Sequence, residues 1–345
     1  MRIAIVNDAA MAVEALRRVV TGSDEHQLAW IARDGAEAVE CCAEQLPDLI
    51  LMDLIMPIMD GVEACRRIMT STPCAILIVT ATVEGHSAKV FEALGAGALD
   101  VVSTPVLGTD ATAAGAGALL LKINQIRRII GGERRGRGRG ESGPDAPQHA
   151  GVQDRLVAVG ASAGGPAALA TILRGLPRDF PAAIVVVQHV DEQFVGPMAG
   201  WLDEQSDLRV RVAREGDKPV ANEVLIAGGD DHLVFTGART LGYTPDPRDC
   251  SYRPSVDVFF ESVIQHWKGQ VVGVLLTGMG RDGAKGLKAM RDAGATTIAQ
   301  DHASCAVYGM PKAAAQMNAA VEILPLDEIA LTLIDVFTLH PNRKS

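Results

Sequence analysis

Three side chains after residue 150 have the types that acyl transfer requires, and each follows a short apolar run. Ser162 lies in Gly160-Ala161-Ser162-Ala163-Gly164-Gly165-Pro166, directly after the run 156–159. A serine hydroxyl is a poor nucleophile and needs exposure, a base within hydrogen-bond reach and donors for the oxyanion; glycines on both sides allow the sharp turn that exposes it. The next apolar run, 183–187, ends in Gln188-His189, which offers an imidazole as that base. In Thr277-Gly278-Met279-Gly280-Arg281-Asp282-Gly283, Asp282 is the candidate to orient the imidazole, so that Ser162, His189 and Asp282 converge as a triad at one sheet edge. The order Ser, His, Asp differs from the Ser, Asp, His order of α/β-hydrolases and argues against that fold. Taken singly, Ser162 reads as a helix cap, His189 as a satisfied core histidine and Asp282 as an N-cap; jointly, three complementary groups at strand ends favour a site.

A strand, a glycine cluster and a helix are also what a dinucleotide pyrophosphate needs, and that reading expects an acid at the end of the next strand to hold the ribose. The sequence has Gln188-His189 there instead. A non-enzymatic adaptor is the second alternative, distinguished by full tolerance of Ser162→Ala.

A different cluster occupies the first half. Asn7 and Asp8 follow the run 3–6, Asp53 follows 49–52, and Thr80 closes 76–79. In a parallel sheet these ends are neighbours, and clustered acids bind Mg²⁺ through oxygen while one carboxylate remains to attack a phosphoryl group. Asp53 is that nucleophile. The plainer reading of Asp8 and Asp53 is that each caps the helix after it.

The elements that must position these groups are legible in the alternation of apolar runs with helical periodicity. Strands are expected over 3–6, 28–32, 49–52, 76–79 and 99–102, then over 156–159, 183–187, 224–227, 271–276 and 296–299. The expected fold is α/β, with two doubly wound parallel-sheet domains and sites at the carboxyl ends of the strands. Residues 1–130 form the first domain and 151–345 the second. Between them, 131–150 is rich in Gly, Arg, Pro and Ser, with Arg134, Arg135, Arg137 and Arg139 set among glycines. Without interleaved aromatics this segment reads as a solvated flexible linker rather than a nucleic-acid arm.

With 345 residues, 48% hydrophobic, the chain can build two cores, and its net charge of −10 disfavours nucleic acid and anionic membrane as partners. The six cysteines form no C-x-x-C pair, so neither a zinc site nor a disulfide framework is indicated, and they read as reduced, mostly buried residues. No signal peptide and no run of membrane-spanning length is apparent, so a cytoplasmic protein without direct membrane insertion is expected.

Asp8, Asp53-Leu-Ile-Met56-Pro57-Ile-Met-Asp60-Gly61 and Thr80 together resemble the two-component receiver family over about the first 125 residues. The resemblance implies that Asp53 is the phospho-acceptor, that Asp8, Asp53 and the Ile55 carbonyl hold Mg²⁺, and that Thr80 and Thr104 occupy the switch positions. It departs in three places: Asn7 replaces an acid, Thr104 stands before Pro105 where a receiver usually has Lys, and Val101 stands where the switch aromatic is expected.

Gly160 to Pro166, Gln188-His189, Arg253-Pro254-Ser255-Val256-Asp257, Thr277 to Ala284, Ala299-Gln300-Asp301 and Tyr308-Gly309-Met310-Pro311 resemble the catalytic domain of the CheB family of chemotaxis protein-glutamate methylesterases. Ile-Val-Asn-Asp at the start and Tyr-Arg-Pro-Ser-Val-Asp-Val-Phe-Phe-Glu-Ser look most like its Wsp-type variant. The resemblance implies hydrolysis of glutamate methyl esters, and deamidation of glutamines, on the cytoplasmic domain of methyl-accepting chemoreceptors, with no cofactor for catalysis. It also implies Met279 as an oxyanion donor, to which the turn geometry adds Ala163, and a sensor histidine kinase as phosphodonor. In that family the unphosphorylated receiver packs over the catalytic face and phosphorylation exposes it.

Overall fold

The computed structural model describes residues 1–80, 87–105, 110–130, 154–250 and 252–338; the segment 131–150 expected to join the two halves lies outside them. The chain divides into two compact units, Met1–Arg135 and Gly136–Ser345.

The first unit runs β1 (Arg2–Val6), α1 (Ala10–Thr21), β2 (Gln27–Ala32), α2 (Gly35–Glu44), β3 (Leu49–Met52), α3 (Gly61–Ser71), β4 (Ala75–Thr80), α4 (Ser87–Gly95), β5 (Asp100–Ser103) and α5 (Asp110–Ile130). Its five strands pair in the order β2-β1-β3-β4-β5, all parallel. The central strands β1 and β3 lack polar alternation because helices bury both of their faces, as the fully buried Leu49, Ile50, Leu51 and Met52 show. The strand order reverses between β1 and β3, which opens a crevice at their carboxyl ends.

The second unit continues with β6 (Arg155–Ala161), α6 (Gly165–Arg174), β7 (Ala183–Gln188), α7 (Glu192–Glu204), β8 (Arg209–Val212), β9 (Glu223–Ile226), β10 (His232–Gly237), β11 (Thr240–Thr244), α8 (Val256–His266), β12 (Gln270–Leu275), α9 (Ala284–Asp292), β13 (Thr296–Gln300), α10 (Met310–Gln316), β14 (Glu322–Leu324) and α11 (Leu326–Thr338). Seven parallel strands pair in the order β14-β13-β12-β6-β7-β9-β8. Here the order reverses at β6, between β7 and β12.

β10 and β11 form a separate antiparallel hairpin, an element the periodicity does not announce. It fixes α8. Phe235 of β10 lies 6.3 Å from Phe259 and 5.6 Å from Trp267, ring centre to ring centre. The Phe235 N–H donates to the buried Ser262 hydroxyl at 3.0 Å. Burying each such aromatic contributes about 1.5–3 kcal/mol, so α8 is held firmly and its first turn becomes a fixed part of the crevice.

Two expectations need amendment. Only Cys42 and Cys65 are buried, while Cys41, Cys74, Cys250 and Cys305 are partly exposed; all six are free thiols. The short strands β8 and β14 also form the two edges of the larger sheet, which the apolar pattern does not reveal. Among the described residues no helix is long and apolar enough to cross a membrane.

Candidate active site

Sheet register brings the three groups of the second unit together. Ala161 pairs with Gln188 and Gly160 with Leu275, so Ser162, His189 and the loop after β12 all leave the sheet at the β6 reversal. The His189 N–H donates to the Ala161 carbonyl at 3.0 Å, and the Ser162 N–H donates to the Thr277 carbonyl at 3.0 Å. Ser162 is 7% exposed. It is not a helix cap, because α6 is capped by Gly164 at φ 75°.

His189 Nε2 and Asp282 Oδ2 are 2.9 Å apart, both side chains being 9% exposed. The other ring nitrogen, Nδ1, is buried without a hydrogen-bond partner among the described residues. A satisfied core histidine would have both nitrogens paired.

Asp282 does cap a helix, but α8 rather than the α9 that follows it. Its Oδ1 accepts from the Ser255 hydroxyl at 2.8 Å and the Asp257 N–H at 3.1 Å, and Oδ2 accepts from the Val256 N–H at 2.7 Å. The positive end of the α8 dipole faces the same carboxylate. Burial works to raise its pKa, yet the His189 contact, the Val256 N–H and the Ser255 hydroxyl outweigh burial and hold it below the usual carboxylate value. Asp282 is thus an anion poised beside Nε2, which keeps the proton on that nitrogen and the lone pair on Nδ1.

The two oxyanion candidates are oriented by carbonyls. The Ser162 carbonyl accepts from Gln188 Nε2 at 2.8 Å and the Gly165 N–H at 2.7 Å. The Gly278 carbonyl accepts from the N–H groups of Gly309 at 3.1 Å and Met310 at 2.9 Å. In a trans peptide the N–H points opposite to the carbonyl, so the Ala163 and Met279 N–H groups are turned away from those anchors. Neither N–H has an acceptor among the described residues. The Thr277 hydroxyl ties the two loops together by donating to the Ala163 carbonyl at 2.9 Å and accepting from the Val307 N–H at 2.9 Å. Gly278 must be glycine, since a Cβ there would lie 2.7 Å from Ser162 Cβ.

Sequence reasoning gave no role to Gln188, Ser255 or Thr277. Each stands inside a motif that carries the family resemblance, but its partner is distant in sequence.

In the first unit, Val6 pairs with Met52, and the Asp53 N–H donates to the Val6 carbonyl at 2.9 Å, so Asp8 and Asp53 emerge from adjacent strand ends. Neither caps a helix: Ala9 precedes α1 without a side-chain cap, and Asp60 caps α3. Asp8 is exposed, Asp53 half-buried and Ile55 41% exposed. Asn7 turns its Oδ1 onto the Ala9 N–H at 2.8 Å. Thr80 is buried at the end of β4, and the Thr104 N–H donates to its carbonyl at 2.9 Å. Val101 is buried within β5. No group of three or more His, Cys, Asp or Glu able to hold a metal ion occurs among the described residues. Asp8 and Asp53 offer carboxylates and Ile55 a backbone carbonyl, hard oxygen donors of the kind Mg²⁺ takes.

Comparison with known proteins agrees with this division. Residues 157–333 match the family described as CheB methylesterase, and residues 3–114 match the response regulator receiver domain. The chain is 58% identical over 334 residues to a protein-glutamate methylesterase/protein-glutamine glutaminase of Cupriavidus metallidurans, covering 97% of this chain and 98% of that relative. It is 56% identical over 337 residues to one from Pseudomonas aeruginosa, covering 98% of this chain and 100% of the relative. The crystal structure of the Thermotoga maritima CheB methylesterase catalytic domain superposes with a TM-score of 0.51 at 36% identity, covering 53% of this chain and 98% of that one. With a receiver domain ahead of a sheet that gathers serine, histidine and aspartate at one crevice, the chain belongs to the CheB methylesterase family.

Proposed function

We propose that the protein hydrolyses glutamate methyl esters on the cytoplasmic domain of methyl-accepting chemoreceptors, and deamidates their glutamines, under control of phosphorylation at Asp53. The observation that carries this reading is the His189–Asp282 pair beside Ser162, with the Nδ1 side of the imidazole left for the nucleophile. His189 Nδ1 takes the Ser162 proton as Oγ bonds to the γ-carbonyl carbon. The oxyanion is met by the N–H groups of Met279 and Ala163; a single donor of this kind is typically worth about 2.7–4 kcal/mol. His189 then returns the proton to the departing methoxide, or to the amine of a glutamine substrate, and an acyl-enzyme remains. Water attacks that ester with His189 again as base, releasing glutamate and restoring Ser162. The chemistry of this centre needs no cofactor.

Asp53 accepts phosphate from a sensor histidine kinase, with Thr80 and Thr104 at the switch positions and residues 131–150 linking the two domains. Asp8, Asp53 and the Ile55 carbonyl would hold Mg²⁺, whose charge offsets that of the incoming phosphoryl group. Thr104 brings no ammonium to that group, a charge-assisted contact typically worth about 1.5–3 kcal/mol. The setting is the cytoplasm.

The test is methanol release from methylated receptor membranes by the wild type and Ser162→Ala, with and without a small phosphodonor. Loss in the variant together with stimulation of the wild type supports both halves of the reading. Equal activity in the two proteins removes the triad and leaves a non-enzymatic adaptor.

A further inference from the structure

Tyr252 lies flat against the imidazole of His189, with ring centres 4.3 Å apart and planes 1° from parallel. His189 has only one ring hydrogen bond among the described residues, from Nε2 to Asp282, and one such bond fixes an edge of the ring while leaving it free to swing about that edge. A flat surface against the ring face removes this swing. The segment that presents Tyr252 is the one that presents the donors to Asp282, since Ser255, three residues on, caps α8 and bonds the carboxylate. The imidazole and its anion are therefore referred to the same short stretch of backbone.

The far end of the phenol is fitted as closely. Gly280 has φ 80°, and a Cβ there would lie 2.9 Å from the Tyr252 hydroxyl oxygen. Glycine at 280 thus lets the phenol lie across the loop whose Met279 N–H is an oxyanion candidate, and any side chain would push the ring off its place.

We propose that Tyr252 is a positioning residue for the hydrolytic reaction, holding the plane of the His189 ring so that Nδ1 faces Ser162. Its π face also favours the imidazolium that forms as the serine proton is taken, since an aromatic face within about 6 Å attracts a cation. The inference rests on the reading of His189 as the base and specifies how that base is kept in line.

The experiment is the rate at which the full-length protein is labelled by a fluorophosphonate. In this reaction Ser162 Oγ bonds to phosphorus, fluoride leaves, the proton passes to His189, and no receptor is needed. Tyr252→Leu is expected to lower the inactivation rate constant about tenfold or more with little change in the reagent's apparent affinity, because small misplacements of a reacting group can cost up to about a hundredfold. Tyr252→Phe, which keeps the flat face, should recover most of that rate. If Tyr252→Leu fails to give a cooperative thermal transition, Tyr252→Met fills the space without a flat face and should show the same loss. Labelling of the Leu or Met variant at the wild-type rate overturns the proposal, as does a Phe variant as slow as either, which would assign the effect to the hydroxyl. Absence of serine-dependent labelling in the wild type, both with and without a small phosphodonor, would instead overturn the hydrolase reading itself.

Discussion

His189 Nε2 meets Asp282 Oδ2 at 2.9 Å, and this contact crosses 93 residues of sequence to join the ends of β7 and β12. It sets the tautomer. With the proton held on Nε2 by an anion, the nitrogen left basic is Nδ1, the reverse of the chymotrypsin arrangement in which Nδ1 faces the aspartate. Asp282→Asn should keep much of the geometry but lose this control, lowering methanol release about 10³- to 10⁴-fold while circular dichroism stays native. A loss of less than tenfold would show that the tautomer is set elsewhere.

Asp257 provides a test through pH. Burial, with the Asp282 and Glu261 carboxylates nearby, pushes its pKa from the usual 3.8 up to about 6. A carboxyl with a raised folded pKa contributes stability that is fully present below pH 3.8 and is lost as pH rises through about 6. Asp257→Asn keeps an acceptor for the Gly286 N–H, which donates to Oδ1 at 2.7 Å, and removes the charge. The variant should therefore be more stable than the wild type above pH 6, on the order of 1–3 kcal/mol, with the gain shrinking toward zero near pH 3.8. Urea melts at several pH values decide this; an equal difference at all pH values would contradict it.

Gly278→Ala addresses the packing of the proposed nucleophile, Ser162. The new Cβ would press on Ser162 Cβ at 2.7 Å and on Met310 Sδ, so the serine turn must shift. A drop in kcat of about a hundredfold with a smaller change in KM is expected. Unchanged kcat would mean that the serine tolerates displacement.

Thr104→Lys restores an ammonium beside Thr80, whose carbonyl already accepts from the residue 104 N–H at 2.9 Å. Phosphorylation of Asp53 by a small phosphodonor should become about tenfold or more faster or the product longer-lived, followed by phosphoprotein-sensitive gels. In the unaltered protein, EDTA should abolish phosphorylation and leave unstimulated, Ser162-dependent ester hydrolysis intact. Loss of both activities on chelation would place a metal in the catalytic unit.

What the sequence by itself determined was the chemistry and its addresses. Apolar runs of strand length, glycine-rich turns and the residue types immediately after them are short-range features, and they put Ser162, His189 and Asp282, like Asp8 and Asp53, at strand ends. Continuous burial of β1 and β3, and of β6 and β7, followed from the same runs because a central parallel strand has no solvent face. The tertiary structure decided the relations that depend on register and on distant partners: that Asp282 caps α8 rather than α9, that Gln188 and Thr277 aim the peptides of Ser162 and its neighbours, and that Tyr252 covers His189. The β10–β11 hairpin was illegible for the same reason, since its short mixed-polarity strands acquire meaning only when Phe235 packs on α8. A hydrogen bond across 93 residues or a ring stacked across 63 leaves no local periodicity, because its energy is realised only after the strands have set which chain ends meet.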